Sequence, residues 1–258
     1  MSAVIITTFI FIYGLLVGSF LNVCIYRIPL NKTVVHGRSF CPNCHSLIPW
    51  YLNIPLFSYL FLKGRCKSCQ MPISPIYPAV ELLNAVLWLM AYHVYGFSAQ
   101  GITIAILFSV MIIIASIDFK YQIIPDSLVT IIVFIGVFCD VFVTVVYGQP
   151  WYMGVLGLFA ASIPLYLLSL IFKNGIGADE IKLLAAAGLI AGWQLILLAL
   201  FLGAIYTGIF ALFMIRAKKV SLKTALPFGS FLTAGIVTAL LVGQNLIAAG
   251  VAFSESIL

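Results

Sequence analysis

Eight apolar runs dominate the chain, at 4–23, 79–95, 102–117, 128–146, 154–172, 183–191, 195–215 and 231–251. A water-soluble core of this size has no use for so many long runs. With a mean hydropathy of +1.20 and 8% charged residues, the chain reads as a polytopic membrane protein. In hydrocarbon every backbone N–H and C=O must find its partner inside the span, so each run is expected to be helical. The sixth run is short, and the turn at Gly192, Trp193 and Gln194 beside it is either a loop between two spans or a break within one. About eight spans are therefore expected, with seven as the other count.

Charge placement orients the spans. The thirteen cations are Arg27, Lys32, Arg38, Lys63, Arg65, Lys67, Lys120, Lys173, Lys182, Arg216, Lys218, Lys219 and Lys223. They fall in alternate connections, while 96–101 and 146–151 carry none. By the positive-inside rule the basic connections are cytoplasmic and the N-terminus is outside. No cation precedes the first run and Arg27 follows it, which argues against a cleaved signal peptide. The net charge of +6 is then a matter of topology and of attraction to the lipid bilayer. No aromatic-interleaved basic stripe exists, so nucleic acid is discarded as a partner.

Residues 29–78 interrupt the apolar pattern with a polar, turn-rich segment too small to bury a stable core unaided. Its four cysteines supply a staple. Cys41-Pro42-Asn43-Cys44 and Cys66-Lys67-Ser68-Cys69 are two CxxC pairs 21 residues apart, a spacing suited to one tetrahedral Zn2+ site with four thiolate ligands. Lys63, Arg65 and Lys67 offset the surplus negative charge. Redox chemistry is the competing reading, but the segment lacks a thioredoxin-like context, and a cytoplasmic location disfavours standing disulfides. Four thiolates leave no open position, so the metal is expected to be structural. His45 is the one alternative ligand. Cys24 and Cys139, in or near apolar runs, are expected to be small buried hydrophobes. The expected architecture is an all-α polytopic membrane protein of about eight transmembrane helices, with a small zinc-stapled cytoplasmic insertion between helices 1 and 2. The expected divisions are 1–28, 29–78 and 79–258.

Two acidic clusters sit at the ends of apolar runs: Asp118, and the pair Asp179 and Glu180. The chain has seven acidic residues in all, so carboxylates bordering hydrocarbon call for a functional explanation. An ordered series of motifs then carries a family likeness. It runs through Gly18-Ser19-Phe20-Leu21-Asn22-Val23, Tyr26-Arg27-Ile28-Pro29, Cys41 to Cys44, Trp50-Tyr51, Asn53-Ile54-Pro55, Gly64-Arg65-Cys66, Ile73-Ser74, Tyr77-Pro78 and Glu81-Leu82. It continues through Ile117-Asp118, Ile124-Pro125-Asp126-Ser127-Leu128 and the glycine-rich segment before Lys182-Leu183-Leu184. The series covers nearly the whole chain and resembles the type 4 prepilin peptidases.

That resemblance implies a bacterial inner-membrane aspartyl protease of the GxGD type, removing the basic leader of prepilins or pseudopilins on the cytoplasmic side. For many members it also implies N-methylation of the new terminus with S-adenosylmethionine. Two close carboxyls suit such hydrolysis, because like charges that near cannot both ionise and the pair holds one proton near neutral pH. The family pattern places its second aspartate two residues before the lysine. Here that slot holds Glu180, and Asp179 lies one residue earlier, directly after Gly177-Ala178. Asp179 is favoured beside Asp118 as the catalytic pair, since one added methylene moves a carboxyl by roughly an ångström and dyads tolerate little misplacement. Glu180 is the alternative. The carboxylate that is not catalytic would be a first-turn charge at a helix start.

Asp126 after Pro125 is expected to cap a helix. Glu81 and Asn22 are implied parts of a polar site, with an ion pair between Glu81 and Arg27 as the plainer explanation. Gly154, Gly157, Gly188, Gly192, Gly203 and Gly208 suit close helix contacts. Two further classes compete with the protease: a proton-coupled transporter, though the cysteine segment has no duplicate in the second half, and a non-proteolytic assembly factor.

Overall fold

The computed structural model describes residues 2–147, 152–171, 177–217 and 226–257. Outside this range lie the cations Lys173, Lys218, Lys219 and Lys223 and residues 174–176 of the glycine-rich segment before Lys182. Among the described residues the chain is all-helical: α1 (Ser2–Arg27), α2 (Phe57–Phe61), α3 (Ile76–Tyr95), α4 (Ala99–Tyr121), α5 (Asp126–Tyr147), α6 (Tyr152–Ile171), α7 (Ala178–Arg216) and α8 (Phe228–Ile257). Within the described residues, all eight apolar runs fall on these helices. Five helices are long and apolar enough to cross a membrane by length and composition, namely α1, α4, α6, α7 and α8. The sixth and seventh runs share α7, which breaks at Gly192 with φ 74° and ψ 172°. Only glycine takes that conformation without strain. The arm before the break has 14 residues, or about 21 Å at ~1.5 Å per residue, less than the ~30 Å of a hydrocarbon core.

Two compact units divide the chain, 1–113 and 114–258, with the division inside α4. In the first, α1 and α3 meet backbone to backbone. A Cβ on Gly14 would stand 2.7 Å from the Cα of Ala85, and one on Gly18 2.7 Å from the Cα of Glu81. A buried polar chain locks this contact. Asn84 donates to the Gly14 carbonyl at 2.7 Å and accepts from the Ser109 hydroxyl at 2.7 Å, and Ser109 in turn accepts from the Trp88 indole at 2.9 Å. Asn84 is fully buried, and a polar group there without partners would cost several kcal/mol, on the order of 2–7.

Residues 28–75 form an insertion of short 3₁₀ turns, α2 and two isolated bridges, Phe40 with Leu47 and Arg65 with Pro72. Arg27 closes α1 onto it by donating to the carbonyls of Thr33, His36, Gly37 and Arg38. The expected ion pair between Arg27 and Glu81 does not form among the described residues. Glu81 instead accepts the Leu56 N–H at 2.9 Å.

In the second unit small residues again set the spacing. A Cβ on Gly157 of α6 would fall onto the carbonyl oxygen of Gly188 in α7, and the reverse substitution is equally blocked. Gly203 and Gly235 make the corresponding close approach between α7 and α8. Helices in lipid gain from such packing because no hydrophobic drive presses them together. Gly157→Leu should therefore force α6 off α7, at about 1–3 kcal/mol, and lower the melting temperature in detergent. Gly208→Ala should leave it unchanged, because a Cβ there meets nothing within 4 Å.

Candidate active site and cysteine cluster

Asp118 lies three residues before the end of α4 and is only 4% exposed. Its partner arrives from 112 residues downstream. The Ser230 N–H donates to Oδ2 at 2.6 Å, and the Ser230 hydroxyl lies 2.7 Å from the same oxygen. Ser230 sits in the first turn of α8, where backbone N–H groups lack helical acceptors and the dipole end is positive. Neighbouring Gly229 makes the approach possible, since a Cβ there would stand 3.0 Å from the Asp118 carboxyl carbon.

The Ser230 hydroxyl also lies 2.9 Å from the Ala115 carbonyl. One hydroxyl hydrogen serves one acceptor at a time. With a proton on Asp118 Oδ2 the chain closes: backbone N–H to carboxyl, carboxyl O–H to the serine oxygen, serine O–H to the Ala115 carbonyl. Sequence reasoning missed Ser230 and Gly229. The only signal was Pro227-Phe228-Gly229-Ser230 heading the last apolar run, a helix-start pattern.

The two candidate second carboxylates separate in the structure. Glu180 is near enough to Asp118 for their charges to interact. Its carboxylate folds back over Gly177, the residue that precedes α7. Asp179 turns to Lys182 at 3.4 Å, and Lys182 reaches Asp126 at 2.8 Å. Asp126 opens α5 as expected and is also the partner of Lys182. These two ion pairs are exposed and weak in energy, yet they fix which way Asp179 faces. Asp179 thus faces Lys182, while Glu180 lies within electrostatic reach of Asp118.

This proximity also demands a reversal in α7. Gly203 packs against Leu232, two residues beyond Ser230, while residue 180 lies at Asp118. A straight helix would set residues 180 and 203 about 35 Å apart at ~1.5 Å per residue. The chain folds back at Gly192.

Cys41, Cys44, Cys66 and Cys69 converge, with their sulfurs all within 4.8 Å of one another, and can hold a metal ion. None is in a disulfide. The two CxxC turns are copies of one design. His45 N–H returns to the Cys41 carbonyl at 2.9 Å and Gln70 N–H to the Cys66 carbonyl at 3.0 Å. Both residues take positive φ, 56° and 60°, which turns the backbone around the sulfurs. The Ser46 hydroxyl and N–H lower the Cys44 thiol to about 6, and the N–H groups of Cys69 and Ser68 lower Cys66. Both favour the thiolate that binds metal. The His45 ring stacks on Phe40 at 5.9 Å, and the metal-capable cluster among the described residues consists of the four sulfurs without it.

Comparison with known proteins agrees with this layout. Residues 12–95 match the bacterial peptidase A24 N-terminal domain, and residues 105–212 match the type IV leader peptidase family. The chain is 32% identical to the prepilin leader peptidase/N-methyltransferase of Bacillus subtilis (strain 168) over 238 residues, 92% of this chain and 95% of that protein. It is 32% identical to the Stutzerimonas stutzeri protein of the same name over 272 residues, 95% and 93% of the two chains. Its identity to that of Klebsiella pneumoniae is 37% over 198 residues, 72% and 86%. No solved structure matches. With both halves matched and relatives aligned almost end to end, this multi-pass membrane protein belongs to the type IV leader peptidase family.

Proposed function

We propose that the chain is a membrane aspartyl endopeptidase that removes the basic leader of type IV prepilins or pseudopilins. It acts at the cytoplasmic face of the bacterial inner membrane and N-methylates the new terminus, with S-adenosylmethionine as methyl donor. The observation that carries this reading is the buried Asp118 carboxyl with Glu180 in electrostatic reach, at the ends of apolar helices, in a chain of this family. Two neighbouring carboxyls in a poorly solvated site share a proton. One form takes a proton from the attacking water while the other polarises the scissile carbonyl. Ser230 supports the Asp118 half by holding it in one orientation with two hydrogen bonds.

For the second carboxylate the geometry favours Glu180 over Asp179, the residue preferred from the sequence. Asp179 is paired with Lys182, whereas Glu180 has no ion pair among the described residues and lies within electrostatic reach of Asp118. The extra methylene of glutamate lets a carboxyl reach from a backbone position one residue further along the helix. Placement of the basic connections supports a cytoplasmic cysteine insertion and an external N-terminus. The metal is proposed to be zinc in a structural role. A tetrahedron with Zn–S bonds of ~2.3 Å has S–S edges of about 3.8 Å, and Cys41 and Cys69 stand 3.8 Å apart. The domain reading follows: a first span at 1–28, a zinc insertion at 29–78 and the peptidase bundle at 79–258. No observation favours a transporter or a non-enzymatic assembly factor.

Cleavage of a prepilin by the purified protein in detergent tests the carboxylate pair. Asp118→Asn and Glu180→Gln should each lower the rate roughly 10²–10⁴-fold, while Asp179→Asn should stay within a few-fold of wild type. Loss with Asp179→Asn and retention with Glu180→Gln would reverse the assignment. Ser230→Ala should lower the rate about tenfold, the worth of one ordinary hydrogen bond. Metal analysis should find one zinc per chain, and Cys44→Ser with Cys66→Ser should abolish it and open residues 29–78 to limited proteolysis.

A further inference from the structure

The cysteine insertion carries large apolar side chains on its outside. Trp50, Phe57, Leu60 and Phe61 are each between 70% and 82% exposed, although α1 has ended at Arg27 and α3 does not begin until Ile76. In α2 the three apolar residues are spaced i, i+3 and i+4, so they form one stripe. The other side of α2 faces protein. The Ser58 hydroxyl donates to the Tyr51 carbonyl at 3.4 Å, which ties α2 to the 3₁₀ turn Trp50–Leu52, and Tyr59 and Leu62 point into the insertion. A helix in water turns its apolar stripe inward, and this one is reversed. Single exposed apolar side chains are ordinary, but four large ones on two tied turns mark a surface that something covers.

The charge around the stripe is of one sign. Between Arg27 and Glu81 the sequence has Lys32, Arg38, Lys63, Arg65 and Lys67 and no acidic residue, so the segment stays net cationic even with four thiolates around a divalent ion. Lys63 follows the stripe by two residues. The Lys67 ammonium stands 5.9 Å from the centroid of the Tyr51 ring, which packs edge-on against Trp50. We infer that this outer face is seated on anionic lipid headgroups of the leaflet from which α1 emerges. Its apolar stripe reaches the boundary with the acyl chains and its ammonium groups meet phosphate. α1 is long and apolar enough to span, and α3 packs against it backbone to backbone, so both ends of the insertion are held at that membrane surface. Docking therefore costs little freedom. A second copy of the chain would set like charges against one another, and a basic leader peptide would meet the same repulsion. The inference is independent of the peptidase chemistry.

Tryptophan fluorescence of the full-length protein in vesicles of phosphatidylethanolamine and phosphatidylglycerol tests this, with the emission of Trp50 taken as the difference between wild type and Trp50→Phe. Acyl chains brominated near their carbonyl ends should quench that emission by roughly half or more, as the ~5–10 Å depth of an interfacial segment requires. Aqueous iodide should not reach it. Phe57→Ser with Phe61→Ser should abolish the lipid quenching and admit iodide. Lys63→Gln with Lys67→Gln should lower the docked-to-undocked ratio about fivefold for each cation removed, and vesicles of phosphatidylcholine alone should shift wild type the same way. Zinc content and melting temperature in detergent show that the variants are folded. Wild-type Trp50 emission that is open to iodide and untouched by brominated lipid overturns the inference. Emission shielded from both also overturns it and gives the face to a protein partner. A raised prepilin KM in Phe57→Ser with Phe61→Ser, with lipid quenching unchanged, overturns it in favour of substrate.

Discussion

Lipid cannot hydrogen-bond, and that constraint governs every polar group the chain carries into its helices. The helical backbone satisfies itself. Polar side chains do not, so they are gathered into closed chains of donors and acceptors. In the first unit Asn84, Ser109, Trp88 and the Gly14 carbonyl form one such chain. In the second, Asp118, Ser230 and the Ala115 carbonyl form another. The first is fully paired without any titratable proton and acts as a lock between helices. The second closes when the carboxyl carries a proton, which is the condition for proton transfer. A single solvent constraint thus yields a rivet in one place and a titratable carboxyl in the other.

Close helix contact is the complementary requirement. Gly14, Gly18, Gly157, Gly188, Gly203 and Gly235 stand where a Cβ would strike a neighbouring backbone or carbonyl. The same closeness positions the chemistry. Gly229 lets the head of α8 reach the Asp118 carboxyl, and Gly192 lets α7 return so that its start and its second arm both approach that end of α8. The cysteine insertion follows a different logic, with little apolar burial and two matched turns converging on one ligand set.

Much of this was legible in the residues. The apolar runs coincide with the helices because the apolar length of a segment decides whether it can lie in hydrocarbon, and a segment there must be helical. The cysteine convergence was legible because CxxC spacing is a local geometric property. Asp118 stood out as a carboxylate bordering hydrocarbon. Ser230 did not, since nothing local couples it to a residue 112 positions away. Glu81 was expected to meet Arg27, but backbone carbonyls within 11 residues of Arg27 claim that guanidinium first.

The sequence by itself determined the membrane class and the family, and it picked out the four converging cysteines and the buried Asp118, because each is written in composition, spacing or an unbroken motif. Tertiary structure alone separates Asp179 from Glu180. The two are neighbours on one helix, about 100° of rotation apart, and Lys182, itself held by Asp126, draws Asp179 to its side. It also decided what stands against Asp118, because the head of α8 reaches that carboxyl only after the chain has folded back at Gly192.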